Sequence, residues 1–233
     1  MSWSSEIKAR IRRRYTQLAG VGDRAGAHRM RQDGYPEAVL DRVPEELAAG
    51  YSGCGFPLAD VDFARVRCAI DLGCGVGADA WWAASEMPPG STVIALDMTV
   101  GMLRAARTLL ATSAILLVAA DLEQIPLAPE VMDLVVANAS LNLAVEKRAA
   151  FGEAFRILKP GGRLAARDLV LGEPLPREVL EDPLADVTSL GGVVPEGELR
   201  RVIEDAGFTD VRIADHRPFS YVVSVQLTAI KPA

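Results

Sequence analysis

Residues 69–77 read Ala-Ile-Asp-Leu-Gly-Cys-Gly-Val-Gly, and this stretch decides the fold. A short apolar strand leads into three alternating glycines, and helix-forming residues follow them. Glycine allows a sharp turn and lets a ligand lie against bare backbone. The unpaired N–H groups at the start of the next helix can bind a negative group. The stretch therefore predicts a ligand-binding loop at the carboxyl end of the first strand of an open α/β sheet.

Short apolar runs alternate with helical stretches around and after this loop. The predicted strands are 66–72, 92–97, 115–121, 132–138 and 163–170, and the predicted helices are 78–86, 100–110, 146–158 and 197–206. This alternation is typical of a parallel sheet covered by helices on both faces. Two late strands, 211–214 and 221–230, predict an antiparallel hairpin at one edge of the sheet. We therefore expect an α/β fold with a doubly wound, mostly parallel sheet.

The N-terminal part has a different texture from the rest of the chain. It predicts a helix over 4–18, a loop rich in Gly, Arg and Asp over 20–36, and a helix over 36–49 that Pro44 can divide in two. We predict an N-terminal helical cap over residues 1–60 and a ligand-binding domain over residues 61–233.

The composition excludes several classes of protein. Of the 233 residues, 50% are hydrophobic and 24% are charged, which is enough apolar side chain for a full core and excludes a disordered chain. The longest apolar run, 114–120, is far shorter than the roughly 20 residues that cross a bilayer. No apolar region follows the basic N-terminus, so we expect no secretory signal. Three cysteines are too few for a disulfide framework, and we expect a reducing cytoplasm.

The net charge of −6 is unevenly distributed. Residues 1–31 carry eight basic and two acidic side chains, which leaves the remaining chain at −12. Such a basic arm either binds an anionic partner or packs against its own acidic body. We favour the second interpretation, because only one aromatic residue, Tyr15, lies among the basic ones. The expected partner is a small-molecule substrate rather than a nucleic acid or a membrane, and a homodimer is left open.

Two carboxylates follow the next two strands. Asp97 ends the second strand, twenty residues after Gly77, where an acid can accept both hydroxyls of a ribose. Asp121 follows the third strand, where it can accept a hydrogen bond from an adenine amino group. Together with the glycine loop, these two residues indicate an adenosine-type ligand.

A dinucleotide-dependent oxidoreductase is the alternative, because Gly73, Gly75 and Ala78 also satisfy G-x-G-x-x-A. Two features argue against it. Asp71 stands two residues before the first glycine, where it can bind an ammonium group. No second half of a six-stranded dinucleotide fold is evident after residue 171.

The segments 71–77 and 158–164, together with Asp97 and Asp121, resemble the class I S-adenosylmethionine-dependent methyltransferases over roughly residues 51–233. The resemblance implies a seven-stranded sheet whose last strand is antiparallel, with S-adenosylmethionine as cofactor. It also implies that the glycines approach the methionine part, that Asp71 helps hold its amino group and that Asp97 binds the ribose. The cofactor contacts that it implies are Asp71, Gly73, Cys74, Gly75, Gly77, Asp97, Met98, Asp121, Leu122 and Asn138.

A narrower resemblance, to the arsenite methyltransferases, lies in segments 51–55, 96–99, 138–143 and 189–192. That family holds trivalent arsenic with thiolates, and several soft sulfur ligands are needed to grip a soft metalloid. In this chain only Cys54 stands at such a position. Ala139 and Ser189 occupy two others, and residues 1–50 contain no cysteine.

We therefore predict a methyltransferase whose small-molecule substrate has changed, with no metal site. The alternatives are an arsenite-type metalloid methyltransferase with a reduced set of thiols and a methyltransferase-like binding subunit without catalysis.

Methyl transfer from a sulfonium is an in-line displacement, so the protein must mainly hold the nucleophile close and exclude water. We expect the cap to close over the cofactor with Tyr15 or Tyr51. The candidates for a catalytic role are His28, Tyr51 and Asn138. The arginines that could bind a substrate carboxylate are Arg29, Arg31 and Arg167.

Overall fold

The computed structural model describes residues 3–19, 25–111, 114–181, 188 and 190–233. Its strands are β1 (Cys68–Leu72), β2 (Thr92–Asp97), β3 (Ile115–Ala119), β4 (Met132–Asn138), β5 (Leu158–Leu171), β6 (Val194–Pro195), β7 (Thr209–Phe219) and β8 (Val222–Ile230). They form one sheet in the order β3-β2-β1-β4-β5-β8-β7, and the short β6 pairs with β5.

The first five strands run parallel, and β8 is antiparallel to both of its neighbours, β5 and β7. The predicted α/β fold is confirmed, with the two-residue β6 as an addition to the seven expected strands. The strand β7 is much longer than the predicted 211–214. Its second half contains the polar residues Asp215, His216 and Arg217, so it does not show the apolar run from which a strand is predicted. The pairing with β8 shifts register between Ala214 and Arg217.

The helices are α1 (Trp3–Leu18), α2 (Gly26–Gln32), α3 (Glu37–Leu40), α4 (Glu45–Ala49), α5 (Ala78–Glu86), α6 (Val100–Leu109), α7 (Lys147–Ile157), α8 (Arg177–Leu180) and α9 (Glu196–Asp205). Pro44 divides the predicted second helix into α3 and α4. The loop predicted over 20–36 is wrong for Gly26–Gln32, which form the helix α2. This helix is stabilised by tertiary packing, because Met30 is fully buried under it.

An apolar core covers each face of the sheet. Phe151 and Ile157 of α7 are buried on one face. On the other face, Leu47 of α4 and Phe56 are buried together with residues of β1, β2 and α5. The division between a cap and a domain at residue 60 stays a prediction. Among the helices that the structure describes, none has both the length and the apolar character that a membrane crossing requires.

Candidate functional site

Two adjoining cavities lie at the carboxyl ends of β1, β2 and β4. The large cavity extends under α1 toward β3 and spans about 660 Å³ including its open mouth. The small cavity lies between the glycine loop and residues 50–53 and spans about 350 Å³ on the same basis. Both are lined by Ser52, Gly73, Gly75 and Asn138. The sheet order reverses between β1 and β4, which is where open α/β sheets bind their ligands.

The glycine loop lies between the two cavities, and β2 holds it in place. The backbone N–H groups of Gly73 and Cys74 donate to the Leu96 carbonyl at 2.8 and 3.0 Å. Gly73 has a φ of +72°, and a Cβ at this position would lie 2.5 Å from the Cβ of Ser140. Only glycine fits there. Gly77 lies outside both cavity linings, at the start of α5.

Asp97 lies on the wall of the large cavity, next to Met98. Its Oδ2 accepts a hydrogen bond from the Gly75 N–H at 3.0 Å, and its Oδ1 accepts one from the Thr99 N–H at 2.7 Å. Burial raises the pKa of this carboxyl group, while the two backbone donors oppose the shift. The Thr99 side chain is a third donor, and the two carboxylate oxygens together keep capacity to accept a further hydrogen bond.

Asp121 and Leu122 line the far end of the large cavity, where α1 covers them. Lys8 of α1 places its Nζ 2.7 Å from the Asp121 carboxylate and 2.5 Å from the Glu123 carboxylate. Tyr15 of the same helix also lines the cavity, and burial raises its pKa to about 12. At Lys8 the basic arm therefore packs against the acidic body, as we favoured.

Asn138, at the end of β4, ties residues 54 and 55 to the sheet. Its Nδ2 lies 2.8 Å from both the Gly55 carbonyl and Oδ2 of Asp79, and its Oδ1 accepts a hydrogen bond from the Cys54 N–H at 2.9 Å. The Tyr35 hydroxyl donates to Oδ1 of Asp79 at 2.7 Å. Four segments that are distant in the sequence therefore meet in one buried hydrogen-bond network.

Two buried carboxyl groups, those of Asp71 and Asp79, line the small cavity. Burial raises the pKa of Asp79 to about 6. The pKa of Asp71 is raised well above its usual range by burial and by the negative charges of Asp79 and Asp97. The sequence analysis missed Asp79, because an acid in the first turn of a helix usually interacts with the helix dipole at the surface.

Tyr51 lies over the small cavity, as we expected of one of the two tyrosines. Its ring packs edge to face on Tyr35 with the centroids 5.3 Å apart, and its hydroxyl accepts a hydrogen bond from the Gly55 N–H at 2.9 Å. Arg29 donates to the Tyr51 carbonyl at 3.1 Å. The arrangement makes Tyr51 part of the wall that separates the small cavity from solvent.

Other candidate residues lie away from the cavities. His28 is exposed on α2 and lines neither cavity, and Arg31 is exposed and paired with Glu37 at 2.8 Å. Arg167, a candidate for binding a substrate carboxylate, lines neither cavity. It is buried and donates to Ser224 and Asp215, each at 2.8 Å.

The single cysteine at an arsenic-type position is enclosed by apolar side chains. Cys54 is 1% exposed and packs with Ala139, Leu169 and Val222. Burial raises the pKa of its thiol, so the thiol stays neutral at physiological pH. Ser189 lies outside the described residues.

Comparison with known proteins identifies a family. The family described as "Methyltransferase domain" matches residues 68–207. The chain is 35% identical over 198 residues to an arsenite methyltransferase from Halobacterium salinarum, covering 78% of this chain and 51% of the relative. It is 32% identical over 166 residues to a malonyl-[acyl-carrier protein] O-methyltransferase from Methylovorus, covering 67% and 49%. The chain thus spans about half the length of these curated relatives.

The fold also matches a solved structure. The arsenic(III) S-adenosylmethionine methyltransferase from Chlamydomonas reinhardtii superposes with a TM-score of 0.72 at 24% identity, covering 84% of this chain and 73% of that one. At this level of identity, the match supports the fold alone.

Proposed function

The chain belongs to the methyltransferase domain family, within the class I enzymes that use S-adenosylmethionine, and from this premise we propose that it transfers a methyl group to a small organic acceptor. The single observation that carries the proposal is the position of Asp97 beside the glycine loop on the wall of a cavity. The three free cysteines support a reducing compartment, and we place the protein in the cytoplasm.

The residues around the two cavities fit this cofactor. Asp97 has acceptor capacity for the ribose hydroxyls beyond its two backbone donors. Met98 and Leu122 supply apolar surface for the adenine ring, and Asp121 supplies an acceptor for its amino group. The small cavity, with Asp71, has the carboxylate that the amino-acid part of the cofactor requires.

When bound, S-adenosylmethionine supplies a methyl group activated on a positively charged sulfur. The chain contributes position and exclusion of water, which together can lower the barrier by roughly 7–11 kcal/mol. Helix α1, with Tyr15, covers the large cavity, and Tyr51 covers the small one. The acceptor would approach from the side of Ala139, Ser140 and Leu143 and lose its proton to solvent or to a neighbouring group.

The surroundings of Cys54 favour an organic acceptor over trivalent arsenic. Arsenic binding needs several thiolates, whereas this thiol is neutral and enclosed by Ala139, Leu169 and Val222. The acidic body of the chain likewise favours a small molecule over a nucleic acid. A homodimer stays a prediction.

Calorimetric titration with S-adenosylmethionine and with S-adenosylhomocysteine tests the proposal. We expect micromolar binding by the wild type and a loss of at least about 30-fold in Asp97→Ala, because two ribose hydrogen bonds to a charged group disappear. Asp205→Ala is the matched control, since Asp205 forms an exposed ion pair with Arg148. Unchanged affinity in Asp97→Ala would contradict the proposed site.

Turnover distinguishes the remaining alternatives. We expect release of S-adenosylhomocysteine with an organic acceptor from a screen and none with arsenite. Formation of methylated arsenic would favour the metalloid alternative. Cofactor binding without turnover on any acceptor would favour a binding subunit, and binding of a nicotinamide dinucleotide instead would favour an oxidoreductase.

A further inference from the structure

The small cavity is lined by two carboxyl groups, although a single carboxylate is enough to neutralise the one ammonium group of the cofactor. Asp71, at the end of β1, and Asp79, in the first turn of α5, both line it, and both are more than nine-tenths buried. Asp71 comes from the strand that carries the glycine loop, whereas Asp79 was not expected from the sequence. The cavity adjoins the large cavity at Gly73 and Gly75, so a ligand that reaches Asp97 can extend into it.

We propose that Asp79 binds the ammonium group of the cofactor together with Asp71, and that the pair releases a proton to solvent when the ammonium group enters. The proposal rests on the proposed function and adds a binding residue and a proton step to it. In the absence of ligand, two buried carboxylates that line one small cavity repel each other and are poorly hydrated, which favours protonation of one of them. A positive charge between them favours ionisation of both. No covalent bond changes, and the proton passes to the buffer.

The position of the Asp79 carboxyl group is fixed by other residues. Both oxygens of Asp79 are engaged, by the Tyr35 hydroxyl at 2.7 Å and by Nδ2 of Asn138 at 2.8 Å. These donors are neutral, so they orient the carboxylate without cancelling its charge. Burial and the neighbouring carboxylates raise the pKa of Asp71, and burial raises that of Asp79 to about 6. The pair therefore holds a proton more readily than two exposed carboxyl groups would, and an arriving cation opposes this.

The other ionisable groups that face the pair come from every surrounding element. They are Tyr35 before α3, Tyr51 after α4 with Asp33 and Arg29 behind it, Cys74 in the glycine loop and Asp97 at the end of β2. Burial raises the pKa values of both tyrosines and of the Cys74 thiol, so none of these three ionises near neutral pH. Burial also raises the pKa values of Asp33 and Asp97, so the assignment of a released proton to Asp71 and Asp79 depends on comparing ligands with and without the amino-acid part.

The test compares two ligands that differ in the amino-acid part, which carries the ammonium group and a carboxylate. S-adenosylhomocysteine carries the amino-acid part, and 5′-methylthioadenosine lacks it while keeping the adenosine. Calorimetric titrations in buffers of different ionisation enthalpy, from mildly acidic to neutral pH, count the protons exchanged on binding. We expect release of up to about one proton with S-adenosylhomocysteine and none with 5′-methylthioadenosine.

Variants separate binding from structural support. Asp79→Asn should weaken S-adenosylhomocysteine by roughly 10- to 100-fold, leave 5′-methylthioadenosine unchanged and reduce the proton release. Tyr35→Phe is the matched control, because it removes a hydrogen bond to Asp79 and keeps the charge. Equal weakening of both ligands in Asp79→Asn would show a purely structural role and overturn the assignment of Asp79.

The number of protons released is measured on the wild type, so this test remains valid even if a variant does not fold. Binding of S-adenosylhomocysteine without proton exchange across this pH range, or the same proton release with both ligands, would overturn the inference alone. If neither ligand binds, the proposed function fails and the inference fails with it.

Discussion

The two ends of the ligand-binding region are built in opposite ways. Around the small cavity, Asn138, Asp79 and Tyr35 form a buried network in which each polar atom depends on a partner from a distant segment. Over the large cavity, α1 is held by the buried side chains of Ile7 and Ile11 and by the ion pairs of Lys8 with Asp121 and Glu123, whose side chains are between 8% and 28% exposed. Loss of a buried partner leaves an unsatisfied polar group, whereas charges that keep some exposure can be hydrated when their pair separates. The small cavity should therefore be the more rigid of the two, and the cover of the large cavity should open more readily.

The loop between the two ends should tolerate substitution least. Gly73→Ala places a Cβ 2.5 Å from Ser140 at a φ of +72°, which combines a steric clash with backbone strain. We expect the free energy of unfolding to fall by about 4 kcal/mol and cofactor binding to be lost, as measured by urea denaturation and calorimetry. Gly90→Ala is the control, because Gly90 has a similar φ of +81° and open space around its Cβ position. A loss of about 1 kcal/mol is expected there. Equal losses of unfolding free energy in the two variants would show that the steric clash with Ser140 does not contribute.

Removal of the buried amide should be nearly as costly. Asn138→Ala leaves the Cys54 N–H and the Gly55 carbonyl without their partner, so we expect a loss of roughly 3–4 kcal/mol in unfolding free energy. Gln226→Ala is the matched control, because Gln226 also ties the same segment to the sheet but through one hydrogen bond, to the Pro57 carbonyl at 2.9 Å. A loss of about 1 kcal/mol is expected for it. A smaller effect in Asn138→Ala than in the control would contradict the rigidity of the small cavity.

The buried carboxylate should make the stability of the ligand-free protein depend on pH. Burial raises the pKa of Asp79 from 3.8 to about 6, so the folded state binds more protons than the unfolded state between these values. The contribution of Asp79 to stability should therefore fall as the pH rises through this window and level off above about 6. At about 1.4 kcal/mol per pKa unit, the contribution is roughly 2–3 kcal/mol. Unfolding of the wild type and of Asp79→Asn across this range isolates it, and parallel pH profiles for the two proteins would exclude Asp79 as the source.

The smallest effect is expected at the ion pairs over the large cavity. Lys8→Met should lower cofactor affinity by about 0.5–1 kcal/mol at low salt and by less at high salt, because the charges at this end are screened. Titrations at two salt concentrations measure this difference. Arg31→Met is the control, since Arg31 pairs with Glu37 on an exposed surface outside both cavity linings. An effect as large as that of Asn138→Ala would end the distinction between the two regions.

Much of the architecture could be predicted from local patterns. The run of apolar residues before the glycines places β1, and the spacing to Asp97 places an acid on the cavity wall. These features depend on residues close in sequence or on the regular alternation of strand and helix. The helix α2 and the second half of β7 were missed because tertiary pairing stabilises them against their local composition.

The sequence by itself determined the fold class, the ligand-binding loop and the family, because a glycine loop and an alternating apolar pattern act through neighbouring residues. Only the tertiary structure decided that Asp79 lines the small cavity, that Lys8 reaches Asp121 and that Arg167 is buried with Asp215. The physical reason is that the partner of a polar side chain is set by which distant segments the sheet brings together. Neither composition nor spacing contains that information.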